Sequence, residues 1–214
     1  MTSNQNQSPS TPPAPATLVL ASSSPRRQEL IAKLGLPVLI RPSHADEDTP
    51  AGWSPARIVE ELSLRKAKAV IDGAEPSDLK GDGAVSIVVG SDTIVALGEE
   101  AMGKPKNAAD AEAMLERLQG RTHEVYTGVT CLELESGRAV TTHRVTRVRM
   151  RKLSKEQISR YVETGEPMDK AGAYGIQDRG ALLVEGIEGD FYSVMGLPVS
   201  LLAEMLESFG IVKP

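Results

Sequence analysis

The sequence predicts an α/β fold built on a mixed sheet, and three observations carry that prediction. Apolar runs of strand length alternate with segments of helical period. Several of those segments bring their own start signals. Glycine-bearing turns join some strands closely enough to make hairpins, so the sheet cannot be wholly parallel.

The elements follow in order. Met1 to Ala16 is Ser, Asn, Gln, Thr and Pro with almost no apolar content, too little to repay the entropy of ordering, and reads as a disordered tail preceding a single domain over 17–214. Thr17 to Ala21 is a buried strand. Ser24-Pro25 supplies an N-cap and a first-turn proline for a helix closed by Gly35. Leu36 to Pro42 returns as a strand, and Ser54-Pro55 opens a second helix by the same device, running to about Gly73. Gly73 to Ala84 is polar and reads as a surface loop. Val85 to Gly90 is a strand with Ser91-Asp92-Thr93 at its end, and Ile94 to Leu97 with the turn at Gly98 suggests a hairpin. Asn107 caps a helix whose Ala111, Met114, Leu115 and Leu118 keep helical spacing. Strands near 124–134 and 139–153 flank a Ser136-Gly137 turn. Ser154 and Gln157 form a capping box for a helix to about Thr164, a strand is expected near 181–184, and a helix from Pro198 to Phe209 closes the pattern.

Composition narrows the function. At 40% apolar and 25% charged, the chain has the balance of an ordinary globular domain with a core. Its formal net charge of -5 and its 3% aromatic content argue against nucleic acid or anionic membrane as a partner, since such binding needs many cations and stacking rings. No run reaches the length of a membrane span and no secretory leader is visible, so the cytoplasm is the expected compartment. Cys131, the single cysteine, lies in an alternating strand pattern, where a small buried side chain outweighs a nucleophile. His44, His123 and His143 lack metal-ligand spacing and read as structural or surface residues.

Within that frame a few residues stand out. Leu20-Ala-Ser-Ser-Ser-Pro-Arg-Arg runs from strand through hydroxyl-rich turn to helix N-terminus, combining free backbone N–H groups with two guanidinium forks. It is either a phosphate-binding turn or a solvated cap. Lys66 shares a helical stripe with Val59, Leu62 and Val70, so its ammonium either snorkels to the surface or points into a cleft. Lys104 lies in a tight loop, as a phosphate contact or an exposed turn lysine. Asp92, after the apolar run, is a site carboxylate at a strand end or a turn-capping aspartate. Asp46-Glu47-Asp48 is a solvated loop or an oxygen ligand for Mg²⁺. Asp169 to Gln177 sets polar side chains among glycines and alanines, which permits close backbone approach to a ligand. The phosphate-loop, dinucleotide-fingerprint and nucleophile-elbow motifs are absent from the sequence.

Taken together, Leu20 to Leu30, Gly90-Ser-Asp-Thr93, Gly103-Lys-Pro105, Gly120 to Gly128, Asp169 to Gln177 and Gly189 to Pro198 closely resemble the Maf family of nucleoside triphosphate pyrophosphatases, over about residues 17 to 210. The resemblance implies a fold similar to that of the inosine triphosphatase superfamily: an elongated mixed sheet in two lobes with flanking helices and a central nucleotide cleft. It implies hydrolysis of a nucleoside triphosphate to the monophosphate and pyrophosphate, a divalent cation (Mg²⁺ or Mn²⁺), and a homodimer, as family members are often dimers. By position, Asp92 looks like the catalytic proton acceptor and a metal ligand, with Glu47 assisting at the metal. Ser22, Arg26, Arg27, Lys66 and Lys104 look like the phosphate-contacting set. Arg26, Thr93 and Gln177 match the specificity positions of the branch acting on dTTP and UTP; a sister branch acting on 7-methylguanosine triphosphate has glutamate in place of the threonine. A neutral amide and hydroxyl suit the O4 and N3–H edge of a pyrimidine. The family's association with arrest of septum formation leaves a non-catalytic nucleotide-binding regulator as a further reading.

Overall fold

The computed structural model describes residues 16–81 and 85–211. Residues 1–15 of the expected tail lie outside this range, and Ala16, expected to belong to that tail, opens the first strand.

One mixed sheet of seven strands organises the molecule. Strand β1 (Ala16–Leu20) pairs in parallel with β2 (Val38–Ile40) on one side and with β3 (Val85–Leu97) on the other. From β3 the sheet continues antiparallel through β5 (Thr122–Glu133), β6 (Ala139–Met150) and β7 (Val184–Glu188), while β4 (Glu100–Met102) folds back on the end of β3. The parallel pairs arise where helices α1 (Pro25–Ala32) and α2 (Pro55–Asp72) cross over between strands, and the antiparallel pairs where short turns join them.

The helix start signals act as the sequence indicates. Ser24 and Ser54 cap α1 and α2, each followed by proline, and their hydroxyls face the N–H groups of Arg27 and Arg57. Asn107 caps α4 (Ala108–Leu118) through Asp110 N–H. Ser154 and Gln157 form the reciprocal capping box at α5 (Lys155–Val162).

Four expectations are corrected. The 73–84 segment is not simply a loop: Pro76–Leu79 forms a short helix, α3, that buries Leu79, and residues 82–84 lie outside the described residues. The strand expected near 181–184 is a 3₁₀ turn over Asp178–Leu183, and β7 begins only at Val184. The helix α6 (Phe191–Met195), capped by Asp190 and ended by Gly196 at φ 115°, precedes α7 (Val199–Glu207) and was not foreseen. Most consequentially, β3 does not stop before Ser91-Asp92-Thr93. It runs unbroken for 13 residues, so Asp92 sits in mid-strand.

The sheet buries three apolar clusters. Alternation along β3 sends Ile87 and Val89 toward α1 and α7, where Leu18, Leu20, Leu30, Ile31, Leu202 and Leu206 form the first core. Val95, further along the same face, joins Leu115, Leu118, Val125, Val148 and Ile158 in a second core beneath α4 and α5. On the opposite face Val88 packs with Val19, Ala67, Val70 and Leu79 under α2. Two glycines let α2 lie directly on the strands: a Cβ at Gly90 would stand 2.0 Å from the Ser63 carbonyl oxygen, and one at Gly128 would stand 2.1 Å from that of Val59.

Candidate active site

The site lies where β3 loses a neighbour. Pairing with β1 ends at Val89, where Ala21 N–H still reaches the Val89 carbonyl, and pairing with β4 begins at Val95 on the same side. Among the described residues no strand flanks Gly90 to Ile94 on that edge, while β5 remains paired along the other. The Ser22–Arg27 turn follows β1 into this opening. Asp92 is therefore at a site because its neighbours end or begin there, not because its own strand ends; the same divergence of strands builds crevices in open α/β sheets.

Polar side chains of β3 part to the two faces. Asp92 points with Gly90 toward α2, where Lys66 Nζ meets its Oδ1 at 2.6 Å and meets Glu47 Oε1 at 2.7 Å. Lys66 is 8% and Asp92 7% exposed, so this lysine does not snorkel; it is buried on a carboxylate. Glu47 is exposed on an irregular stretch tied to α2 by the Arg65 guanidinium, which donates to the Asp48 carbonyl at 2.7 Å and lies with Arg57 over the Trp53 ring. Burial pushes the Glu47 carboxyl up, but the hydrogen bond and charge of Lys66, aided by Lys104 and Arg27, outweigh it and hold the group below its usual range.

On the other face, Ser91 donates to the Gly196 carbonyl and Thr93 meets Arg27. Arg27 donates from Nε to the Gly196 carbonyl at 2.8 Å and from a terminal nitrogen to Thr93 Oγ1 at 3.2 Å. Thr127 Oγ1 donates to the Ser193 carbonyl at 2.7 Å, so it is left to accept from the Thr93 hydroxyl 3.0 Å away. The Thr93 hydroxyl is thus engaged in both directions, and it acts by holding Arg27. Burial lowers the Arg27 pKa most strongly, and the Asp92 charge opposes that shift, which places the two groups in one field across the sheet edge.

Beside these residues opens a cleft whose empty space, open solvent included, is about 610 Å³. Of the residues the resemblance singles out, Arg26, Arg27, Thr93, Lys104 and Gln177 line it, and Ser22, Glu47, Lys66 and Asp92 stand apart from its wall. Ser22 is buried, its Oγ accepting from Ser24 N–H at 3.1 Å, so it shapes the turn. Lys104 is exposed at the mouth, its loop joined to the opposite wall by a bond from Gly172 N–H to the Gly103 carbonyl. Gln177 Oε1 is buried against the cleft with no hydrogen-bond partner in the protein, which leaves an acceptor for a ligand N–H.

Sequence reasoning missed several contributors. Asp169 accepts from Arg26 at 2.9 Å and from Lys170 at 2.7 Å, joining α1 to the far wall; burial raises its carboxyl, and these two cations more than reverse the effect. Tyr174 forms part of the wall, its hydroxyl 2.7 Å from His123 Nε2. The signal for both lay in the Asp169 to Gln177 segment, whose small residues let them converge. Cys131 is buried, and burial pushes its thiol up to about 12, which makes it an inert core residue.

The carboxylates also suit a cation. Among the described residues no cluster of three or more His, Cys, Asp or Glu side chains could form a closed metal cage. Glu47 and Asp92 instead converge on one ammonium, offering two hard oxygen donors at one point. Such a pair fits Mg²⁺ or Mn²⁺, which are commonly held by one or two carboxylates together with substrate phosphates and water. Among the described residues no helix is long and apolar enough to cross a membrane.

The family model described as Maf-like protein matches residues 17–209. A protein of Moorella thermoacetica named dTTP/UTP pyrophosphatase is 50% identical over 194 residues, covering 91% of this chain and 95% of its own. Proteins of the same name from Desulforamulus reducens (45% identical, 91% of this chain and 97% of the relative) and Symbiobacterium thermophilum (50%, 90% and 94%) are similar throughout their length. With both the family model and these relatives spanning nearly everything from β1 to α7, the chain belongs to the Maf-like family.

Proposed function

We propose that this protein hydrolyses dTTP and UTP to the monophosphate and pyrophosphate. The observation that carries the reading is the buried Lys66 joining Asp92 and Glu47 at the sheet opening, directly behind a cleft rimmed by Arg26, Arg27 and Lys104. A triphosphate lying along those cations would meet Asp92 through the sheet opening between β1 and β4. The names of the relatives support the substrate.

Asp92 accepts the proton of the attacking water as the new P–O bond forms at the α-phosphorus and the bond to the departing pyrophosphate breaks. Arg26, Arg27 and Lys104 offset the negative charge of the leaving group, and Lys66 holds Asp92 and Glu47 in register. Glu47 and Asp92 would hold Mg²⁺ or Mn²⁺, which when bound supplies charge neutralisation at the phosphate oxygens. Gln177 offers its free amide oxygen to the N3–H of uracil or thymine. The reading places the enzyme in the cytoplasm, as a homodimer drawing on the free nucleotide pool.

Asp92→Asn tests it: pyrophosphate release from dTTP falls by about 10²-fold or more while circular dichroism is unchanged. Retained turnover overturns the assignment. Dependence on Mg²⁺ or Mn²⁺ is read in the same assay after chelation. Substitution Thr93→Glu sets a carboxylate against Arg27 inside the cleft, and we expect preference to move from dTTP toward the cationic 7-methylguanosine triphosphate. Binding of dTTP by the wild-type protein without pyrophosphate release would instead favour the regulator.

A further inference from the structure

Gln177 sits at the tip of a short excursion of the chain whose two feet are fixed by residues outside the cleft. Before it, Gly175 N–H donates to the Tyr161 hydroxyl oxygen at 3.1 Å. After it, Gly180 N–H donates to Glu166 Oε1 at 3.0 Å and Arg179 N–H to Glu166 Oε2 at 3.2 Å. Tyr161 in turn donates to Glu166 Oε1 at 2.9 Å, so one phenol and one carboxylate hold both feet. The feet touch: a Cβ on Gly180 would stand 2.0 Å from the Gly175 carbonyl oxygen and 2.8 Å from the Tyr161 hydroxyl.

The backbone needs this restraint. Ala173 and Asp178, at φ 59° and 57°, are the only non-glycine residues among those described with positive φ, and they bracket the wall segment Tyr174 to Gln177. A left-handed alanine is unfavourable unless its surroundings over-determine it. Neither Tyr161 nor Glu166 lines the cleft, so neither has a direct part in binding.

We propose that Tyr161 and Glu166 are positioning residues that set base selection, by fixing where Gln177 presents its amide. The proposal rests on the dTTP/UTP reading for its substrate and on the hydrogen bonds alone for its mechanics. Its test pairs two measurements on Tyr161→Phe and Glu166→Gln. In pyrophosphate-release assays, kcat/KM for dTTP falls about tenfold, chiefly through KM, and the ratio of dTTP to CTP turnover narrows by a similar factor, while kcat at saturation stays within about threefold of wild type. Equal losses for dTTP and CTP, or a loss in kcat at unchanged KM, overturn it. In nucleotide-free protein, amide hydrogen exchange across residues 174–180 accelerates about tenfold or more in Tyr161→Phe, with the β3 and β5 amides unchanged. Unchanged protection of that segment overturns the proposal whatever the assay gives, whereas a wild-type protein inactive on every triphosphate overturns only the substrate reading.

Discussion

His123 shows how burial writes a pH dependence into one side chain. It is 2% exposed beneath the cleft wall, its Nε2 on the Tyr174 hydroxyl and its Nδ1 without a partner, and burial pulls its pKa down to about 4. As pH falls from 6.5 the unfolded chain binds a proton that the folded one refuses, so stability present above 6.5 is lost through the window from 6.5 to about 4, at up to about 1.4 kcal/mol per pH unit. The depressed carboxyls of Glu47 and Asp169 act in the same direction but only at and below the ordinary carboxylate range. Urea midpoints between pH 7 and 5 should therefore fall in the wild type and stay nearly flat in His123→Gln. At this scale the sequence was informative about Lys66, because a cation on an apolar helical stripe has few places to go. It was silent about Tyr161 and Glu166, since their partners lie on backbone N–H groups that no side-chain pattern reveals.

Among the elements, those with a local cause were legible. Ser24, Ser54, Asn107 and Ser154 each cap a helix within three residues of themselves, and the pattern is visible in sequence. We expect Ser154→Ala to cost about 1 kcal/mol in chemical denaturation. Strand β3 misled because Ser91, Asp92 and Thr93 look like a terminator. They remain in the strand because distant partners satisfy them: the Gly196 carbonyl for Ser91, Lys66 for Asp92, Arg27 and Thr127 for Thr93. The 3₁₀ turn at Asp178–Leu183 was misread for a similar reason, as its backbone is held by Glu166 rather than by its own composition. Strand β5 has a sharper requirement at Gly128, where the α2 backbone leaves no room for a methyl group. Gly128→Ala should destabilise by about 1–3 kcal/mol or more, measured by urea unfolding, and should also lower activity by moving Lys66.

The whole molecule has two principal cores but one sheet. Strands β3 and β5 each pass through both, sharing ten paired positions from Ile87–Glu133 to Ala96–Glu124, so neither core can melt without unpairing strands that the other needs. Leu30→Ala in the first core and Leu115→Ala in the second should each cost about 2–5 kcal/mol and shift one common transition. Trp53 fluorescence and far-ultraviolet circular dichroism should trace superimposable curves; two separated transitions would mean that the lobes fold independently. The lobed, mixed sheet was expected from the family likeness, but the opening along β3 could not be, because strand lengths and registers on its two sides decide where β1 stops and β4 starts.

The close seating of α2 on Gly90 and Gly128 has a consequence for how the molecule can move. A helix touching a sheet through bare backbone cannot slide or rock without collision, so the spacing from Lys66 to Asp92 behaves as a fixed gauge cut into the rigid half of the protein. The opposite wall is carried by irregular turns rather than a long helix, and there Asp169 is held by Arg26 and Lys170, Tyr174 by His123, and the feet of the Gln177 segment by Tyr161 and Glu166. One wall of the opening is thus set by backbone against backbone, and the other by side-chain bonds.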